Sequence, residues 1–199
     1  MLILVRIESP GAAAVRRRAG RPGLRPLRGR PHPDSCSKGS VSMSIHGDRA
    51  YAAFLEGCNC AQSVAVAFAP ELGLSEEQVL RLASGFGAGV GRLREVCGAF
   101  GGVVLVLGAL YGNTDPAGKT ATYARVQELA ARYKARNGGG SIVCRELLGL
   151  KQAEGSPVAS ARTAEYYKKR PCPQLVRLAA EIMEEYIAEN PPRLPEKSV

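Results

Sequence analysis

The sequence contains few of the residues on which most enzyme sites depend. Its 199 residues include only two histidines, His32 and His46, and no tryptophan. Both histidines lie in or beside the N-terminal 45 residues, so the rest of the chain has no Cys-His nucleophile, H-E-x-x-H zinc site or C-x-x-C-H haem attachment. The chain has no C-x-x-C pair, which excludes a thioredoxin-type motif and the usual structural zinc knuckles. Acid–base chemistry in the body must therefore use carboxylates, tyrosines or thiols.

Strand patterns and strong membrane-spanning runs are also missing. No segment alternates apolar and polar residues as a half-buried strand does, and no internal repeat is present. The uncharged run from Val96 to Thr114 has nearly the length of a bilayer span. Its five glycines and polar start favour the interior of a soluble bundle instead. We therefore expect no membrane span.

The first 45 residues differ from the rest in composition. Nine positive side chains against two negative ones give this segment +7 of the +9 net charge of the chain. The segment is rich in Arg, Pro and Gly without apolar periodicity, so it cannot bury enough apolar surface to offset the entropy of ordering. We expect a disordered tail over residues 1–45, with translation starting at Met43; a transit peptide or a nucleic-acid-binding arm is the alternative. The small remaining charge argues against nucleic-acid binding by the folded body.

Capping signals and apolar periodicity predict helices throughout residues 46–190, which we take as the folded domain before a C-terminal tail over 191–199. Four polar residues are expected to cap four of these helices: Asp48, Asn59, Ser75 and Asp115. The helix after Asp115 has five core positions at helical spacing: Tyr123, Val126, Leu129, Ala130 and Tyr133. Residues 151–162 are predicted to form an exposed polar linker. The predicted fold class is all-α, a compact multi-helix bundle.

The stretch RLREVCGAFGGVVLVLGALYG, residues 92–112, is predicted to contain the central helix of this bundle. Gly98 and Gly102 are four residues apart, as are Gly108 and Gly112, so a helix here would carry strips without side chains. Such strips let another backbone approach closely. Because each interior glycine costs about 1 kcal/mol relative to alanine, packing must offset that cost. We expect this helix at the centre of the bundle or at the interface of a homodimer.

Cysteines supply the main indication of function. Cys36 lies in the tail, and Cys58 forms a C-x-C pair with Cys60 that could share a metal or be coincidental. Four cysteines are predicted to begin four different helices: Cys60, Cys97, Cys144 and Cys172. A first-turn position lowers the pKa of a thiol. Basic residues adjoin three of the four cysteines: Arg92, Arg94, Arg145, Lys168, Lys169 and Arg170. Cys97 is thus predicted to be a poised thiol, although burial as a small apolar side chain is the alternative.

If the four sulfurs converge, several kinds of site remain open. They can form two disulfides, a redox dithiol with a second pair, or a four-thiolate site for an iron–sulfur cluster or another thiophilic metal. The cysteine count alone does not separate these alternatives.

Three segments and a late cysteine carry a family resemblance. NCAQ at 59–62, EVCGAFGG at 95–102 and SIVCRELLG at 141–149, followed by Cys172, resemble the redox-active proteins named for their C_GCAxxG_C_C pattern. The similarity runs from about residue 54 to about residue 182. Cys58 departs from it, because an aromatic residue is more usual before the asparagine, and Cys36 has no counterpart. The resemblance implies a small helical protein that acts through four cysteines, with no established substrate.

We therefore expect a cytoplasmic all-α protein that exchanges electrons or disulfides with a redox partner of unknown identity. The catalytic residues, or the ligands if a metal centre is present, are expected to be four cysteines: Cys60, Cys97, Cys144 and Cys172. Two other classes of function remain. One is a non-catalytic module that binds or senses a metal. The other is a structural bundle that dimerises through its glycine-rich helix and uses its cysteines for packing.

Overall fold

The computed structural model describes residues 44–152 and 155–192, and the regular elements within them are all helical. These residues form ten α-helical segments: α1 (Ile45–Leu55), α2 (Cys60–Ala67), α3 (Ala69–Leu72), α4 (Glu76–Ala83), α5 (Gly87–Val90), α6 (Gly98–Tyr111), α7 (Lys119–Arg136), α8 (Cys144–Leu147), α9 (Ala164–Lys169) and α10 (Cys172–Glu189). Two 3-10 turns accompany them, Ser84–Phe86 and Pro116–Gly118. The all-α prediction is confirmed for these residues.

Several predictions fall wholly or mainly on parts of the chain that the structure does not describe. They are the disordered tail, the start of translation at Met43, the tail cysteine Cys36 and most of the C-terminal tail. None of the helices in the described ranges combines the length and the apolarity that crossing a bilayer requires.

Helix α1 begins earlier than the sequence predicted. Ser44 is its N-cap, and the Ser44 hydroxyl accepts a hydrogen bond from the Gly47 N–H at 2.8 Å. The predicted cap, Asp48, lies in the first turn and pairs with Arg177 of α10, so that prediction is wrong. Ser44 and the first helical residue, Ile45, were also assigned to the tail, and their place in the folded body is a second correction. Ser44 additionally donates a hydrogen bond to Glu184 of α10, which fixes where α1 starts.

Of the other three predicted caps, two are confirmed and one caps a different element. Asn59 caps α2 and Ser75 caps α4, each within a complete capping box, so these two predictions are confirmed. Asp115 caps the 3-10 turn at Pro116–Gly118 instead of the long helix, because α7 begins only at Lys119.

Helix α6 occupies the centre of the fold, as its glycines predicted. It packs against α2, α7 and α10, and its inward side chains are almost fully buried: Phe100, Val103, Val106 and Leu107. From α7, Leu129 and Tyr133 enter the same core. Tyr123 was also predicted there, but it is 60% exposed, because it lies on the solvent side of α7. The burial of the α6 and α7 core side chains removes apolar surface from water and stabilises the fold.

The glycines of α6 lie on two different faces. A Cβ on Gly98 would lie 3.0 Å from the Cβ of Cys60, and one on Gly102 would lie 2.8 Å from the carbonyl oxygen of Ala61. Helix α2 therefore approaches the backbone of α6, as the four-residue spacing predicted. A Cβ on Gly108 would have no neighbour within 4 Å, so this glycine faces away from the packing. A homodimer through such an outward face stays a prediction.

The segment between α4 and α6 has an uncommon backbone. Four non-glycine residues have φ values of 55° to 70°: Ala88, Val90, Arg92 and Arg94. Residues other than glycine rarely adopt this left-handed backbone region. Within the segment, a Cβ on Gly89 would lie 2.7 Å from the Cβ of Cys144 and 2.8 Å from the Cα of Arg94. The glycine therefore lets this segment lie directly against the start of α8.

Candidate functional site

One small cavity is lined by four cysteines from four helices: Cys60, Cys97, Cys144 and Cys172. Its volume is about 60 Å³, which is room for a few water molecules. Cys97 and Cys144 are each 6% exposed and Cys172 is 9% exposed. The structure thus brings together the four cysteines that the sequence singled out.

Each of these cysteines stands where a helix begins. Cys60, Cys144 and Cys172 are the first residues of α2, α8 and α10, and Cys97 is the N-cap of α6. The predicted positions at helix starts are confirmed for all four. Because the N–H groups of a first turn lack partners within their helix, each sulfur lies near the positive end of a helix dipole.

Cys97 and Cys144 are held beside each other by the backbone. The Cys97 N–H donates to the Ile142 carbonyl at 2.7 Å, and the Cys144 N–H donates to the Glu95 carbonyl at 2.6 Å. Between these hydrogen bonds, residues 96 and 143 form an isolated antiparallel bridge. This backbone pairing therefore fixes the starts of α6 and α8 to each other.

Cys60 and Cys172 interact directly through their thiols. Their side chains are hydrogen-bonded to each other, and this bond is the largest of the effects that together lower the pKa of Cys172 to about 7 against the opposing effect of burial. Nearby guanidinium groups contribute to the same lowering: Arg170, Arg162 and Arg94. The same hydrogen bond, together with burial, raises the pKa of Cys60 well above its ordinary value. At neutral pH the pair therefore favours a Cys172 thiolate that accepts a hydrogen bond from the Cys60 thiol.

The pKa values of Cys97 and Cys144 are both raised, in contrast to that of Cys172. Burial raises the pKa of Cys97, although the Tyr133 hydroxyl lies 3.6 Å from its sulfur and favours the thiolate. Burial also raises the pKa of Cys144 to about 11, against a hydrogen bond from Arg94. The prediction that Cys97 is a poised thiolate is wrong, because desolvation outweighs its position at a helix start. The thiol whose pKa is lowered is Cys172.

Three guanidinium groups line the cavity: Arg94, Arg162 and Arg170. Arg94 is only 2% exposed. Arg162 donates to the carbonyl oxygens of Phe54 and Cys58, each at 2.9 Å, and its guanidinium lies 4.2 Å from the centre of the Phe54 ring. These contacts fix a positive charge between the end of α1 and the start of α2.

Two residues of the site were not predicted, and two of the basic residues that adjoin cysteines in the sequence pair with carboxylates outside the cavity lining. Arg162 was assigned to an exposed linker and Tyr133 only to the core. In contrast, Arg145 forms an ion pair with Glu95 at 2.9 Å, and Lys169 forms one with Glu165 at 3.2 Å. Adjacency in sequence identified Arg94 and Arg170 correctly, but it gave no signal for Arg162, whose hydrogen-bond acceptors lie more than a hundred residues earlier in the chain.

The remaining described cysteine, Cys58, lies outside the cavity lining. Burial and the neighbouring Glu56 raise the pKa of its thiol. All five described cysteines are free thiols. Within residues 44–152 and 155–192, no group of three or more His, Cys, Asp and Glu side chains is arranged so that it could hold a metal ion.

The chain matches one known family over most of the residues that the structure describes. Residues 58–186 match the family described as "Putative redox-active protein (C_GCAxxG_C_C)". No curated protein and no solved structure matches the chain. The matched region includes all four cysteines of the cavity and covers well over half of the chain. The protein therefore belongs to the C_GCAxxG_C_C family, as its sequence pattern indicated.

Proposed function

We propose that the protein transfers electrons by reversible thiol–disulfide chemistry, with Cys172 as the attacking thiolate and Cys60 as the resolving thiol. The observation that supports this most directly is the hydrogen-bonded pair of these thiols in one cavity. A thiolate is the form that attacks electrophilic sulfur. A second thiol in contact with it can then close an intramolecular disulfide.

The exchange consists of two balanced steps. In the first, the Cys172 thiolate attacks the sulfur of a disulfide, or of another sulfur compound with a good leaving group. The bond to the leaving group breaks, and a mixed disulfide forms on Cys172. In the second, Cys60 attacks the Sγ of Cys172, the bond between Cys172 and the substrate sulfur breaks, and that sulfur leaves as a thiol with the proton of Cys60. The Cys60–Cys172 disulfide forms, and the dithiol has given two electrons to the oxidant.

The charged surroundings assist both steps. Arg162 and Arg170 stabilise the Cys172 thiolate in a cavity with little exposure to water, where such interactions are stronger than in bulk solvent. The same positive charge stabilises negative charge that develops on the leaving group.

Cys97 and Cys144 serve as the second dithiol of the site. They line the same cavity, and negative charge on either of them raises the pKa of Cys60. Their backbones are fixed by the pairing of residues 94–97 with residues 142–145. We assign to them the transfer of a second electron pair by the same chemistry after the Cys60–Cys172 disulfide has formed, and Tyr133 would stabilise the Cys97 thiolate for this step. A function that needs free thiols at rest fits the cytoplasm, which keeps thiols reduced.

The proposal is tested on protein purified without oxygen, by its absorption spectrum, its metal content and the number of reactive thiols before and after mild oxidation. We expect a colourless, metal-free protein that loses thiols in pairs and regains them with a dithiol reductant. A thiolate-to-metal absorption band with stoichiometric metal would contradict the proposal in favour of a metal-binding module. Small, unrelated effects of the four Cys→Ser substitutions would instead favour packing.

A further inference from the structure

One wall of the thiol cavity is formed by segment 155–170, which contains α9. The segment contributes three residues to the cavity lining, spaced four apart along the chain: Arg162, Tyr166 and Arg170. No residue of the segment is buried, although Cys144 and Cys172 behind it are only 6% and 9% exposed. The segment therefore shields the thiols while adding no buried side chain to the core.

The other walls of the cavity belong to the packed part of the fold. Helices α2, α6 and α10 pack against one another, and backbone hydrogen bonds of 2.6 and 2.7 Å join the starts of α6 and α8. Opening of these walls would expose buried apolar side chains or separate paired backbone. Local opening occurs most readily where few buried contacts are lost. Segment 155–170 is therefore the wall that opens with the smallest loss of stability.

Arg92 holds the first part of this segment in place. It belongs to the connection between α5 and α6. Its Nε donates a hydrogen bond to the carbonyl oxygen of Ser156 at 2.9 Å, and its Nη1 donates one to the hydroxyl of Ser160 at 3.1 Å. Both hydrogen bonds are exposed to solvent, so water can replace them when the segment moves.

Arg162 holds the middle of the segment on the opposite side. It donates to the carbonyl oxygens of Phe54 and Cys58, each at 2.9 Å, which lie at the end of α1 and in the turn before α2. Its guanidinium also stacks on the Phe54 ring. Two arginines therefore fasten the segment through hydrogen bonds to two different parts of the fold.

The cavity behind this segment is too small for the reaction that we propose. Its volume of about 60 Å³ holds a few water molecules. A disulfide must approach with both of its sulfur atoms in line with the attacking sulfur of Cys172, and each of these atoms carries a carbon substituent. Such a substrate fits only if one wall of the cavity moves.

We propose that segment 155–170 is a lid on the thiol cavity, held closed by Arg92 and Arg162, and that disulfides reach Cys172 only when this lid opens. This inference rests on the proposed function and adds the regulation of the same site. In the closed state Arg162 and Arg170 lie beside Cys172 and lower the pKa of its thiol. In the open state the sulfur becomes accessible to a disulfide. Oxidants of the size of water do not require the opening.

The experiment compares two neutral oxidants of different size on the reduced protein, with a small dithiol as the reference. Hydrogen peroxide is close to water in size and converts a dithiol to a disulfide with release of two water molecules. Dithiodipyridine is a bulky disulfide that releases two molecules of thiopyridone, which absorb light. We expect the rate with dithiodipyridine, divided by the rate with peroxide, to be at least about tenfold lower for Cys172 than for the reference. Equal ratios would overturn the lid.

A substitution at Arg92 separates lid opening from thiol reactivity. Arg92→Gln removes the hydrogen bonds to Ser156 and Ser160, so it should raise the dithiodipyridine rate several-fold and leave the peroxide rate unchanged. The matched control is Arg81→Gln, which removes an exposed arginine paired with Glu77 in α4; it should change neither rate. Equal effects of the two substitutions, or a parallel change in both rates, would contradict the proposal.

Hydrogen exchange detects the opening without any redox chemistry. We expect the backbone amides of α9 to exchange faster than those of α10, and Arg92→Gln to accelerate exchange in α9 alone. Equal protection of the two helices would overturn the lid.

The same measurements distinguish failure of the lid from failure of the proposed function. If the oxidants form the Cys60–Cys172 disulfide without dependence on their size, the lid is wrong and the proposed function stands. If neither oxidant forms this disulfide, the proposed function fails, and hydrogen exchange decides separately whether the lid opens.

Discussion

Gly98 in α6 lies in close contact with Cys60 in α2. A Cβ on residue 98 would lie 3.0 Å from the Cβ of Cys60 and 2.9 Å from the carbonyl oxygen of Phe86. The glycine that follows Cys97 in the CGAxxG segment is therefore the residue that lets the start of α2 approach the start of α6. This close approach places Cys60 and Cys97 on one cavity.

Substitution of this glycine should destabilise the protein. Because the extra methyl group of Gly98→Ala meets a backbone carbonyl, we expect a loss of about 1–3 kcal/mol in the free energy of unfolding. The control is Gly108→Ala in the same helix, where a Cβ has open space; it should stabilise by roughly 0.5–1 kcal/mol. Urea unfolding measures both. Equal effects of the two substitutions would show that α2 does not approach α6 as described.

The cap of α2 should affect the site as well as stability. Asn59→Ala and Ser75→Ala each remove a capping box, so each should cost about 1 kcal/mol in unfolding free energy. Asn59 also lines the cavity, whereas Ser75 does not. Alkylation of Cys60 should therefore change several-fold in Asn59→Ala only. A parallel change in Ser75→Ala would indicate general loosening instead.

The hydroxyl of Tyr133 should stabilise the Cys97 thiolate. Its removal in Tyr133→Phe deletes the contact that lowers the pKa of Cys97, so that pKa should rise and alkylation of Cys97 at mildly alkaline pH should slow several-fold. The control is Tyr186→Phe, which removes another buried hydroxyl, one that accepts a hydrogen bond from Arg125 outside the cavity. Both substitutions should cost about 1 kcal/mol. Residue-resolved mass spectrometry should detect a slower Cys97 only in the first.

The pH dependence of alkylation should differ between Cys172 and Cys144. With a pKa of about 7, Cys172 gains thiolate as pH rises towards 7, and its rate should level off above that pH. The pKa of Cys144 is about 11, so its rate should continue to rise throughout the alkaline range. Arg170→Gln should shift the Cys172 profile to higher pH, because it removes a charge that favours the thiolate. Identical profiles for the two cysteines would refute this difference between the thiols.

Local signals in the sequence were enough to place the cysteines at helix starts. Asn59 and Ser75 each identify a helix start through a side chain and a glutamine three residues later, which needs no tertiary information. Ser44 and Asp48 show the limit of such signals. Both are good capping residues within one turn, and contacts with α10 decide between them, because Glu184 binds Ser44 and Arg177 binds Asp48.

The charges of the site could not be predicted from neighbours in the sequence. Cys97 has two preceding arginines, yet burial raises its pKa. Cys172 owes its lowered pKa mainly to Cys60, which belongs to a different helix. Arg162 reaches the site from a polar linker whose composition indicates only exposure. Desolvation and long-range contacts depend on the packing of the whole fold. Neighbouring residues in a single sequence therefore do not predict them.

Cys60 and Cys172 are expected to form the first disulfide, and the most direct measurement is to map that bond. Reduced protein is treated with substoichiometric diamide, unreacted thiols are blocked, and the chain is digested without reduction for mass spectrometry. We predict that the first disulfide-linked peptide joins Cys60 to Cys172, ahead of any bond between Cys97 and Cys144. A first disulfide at Cys97–Cys144, a bond between two chains, or no disulfide at all would contradict the account.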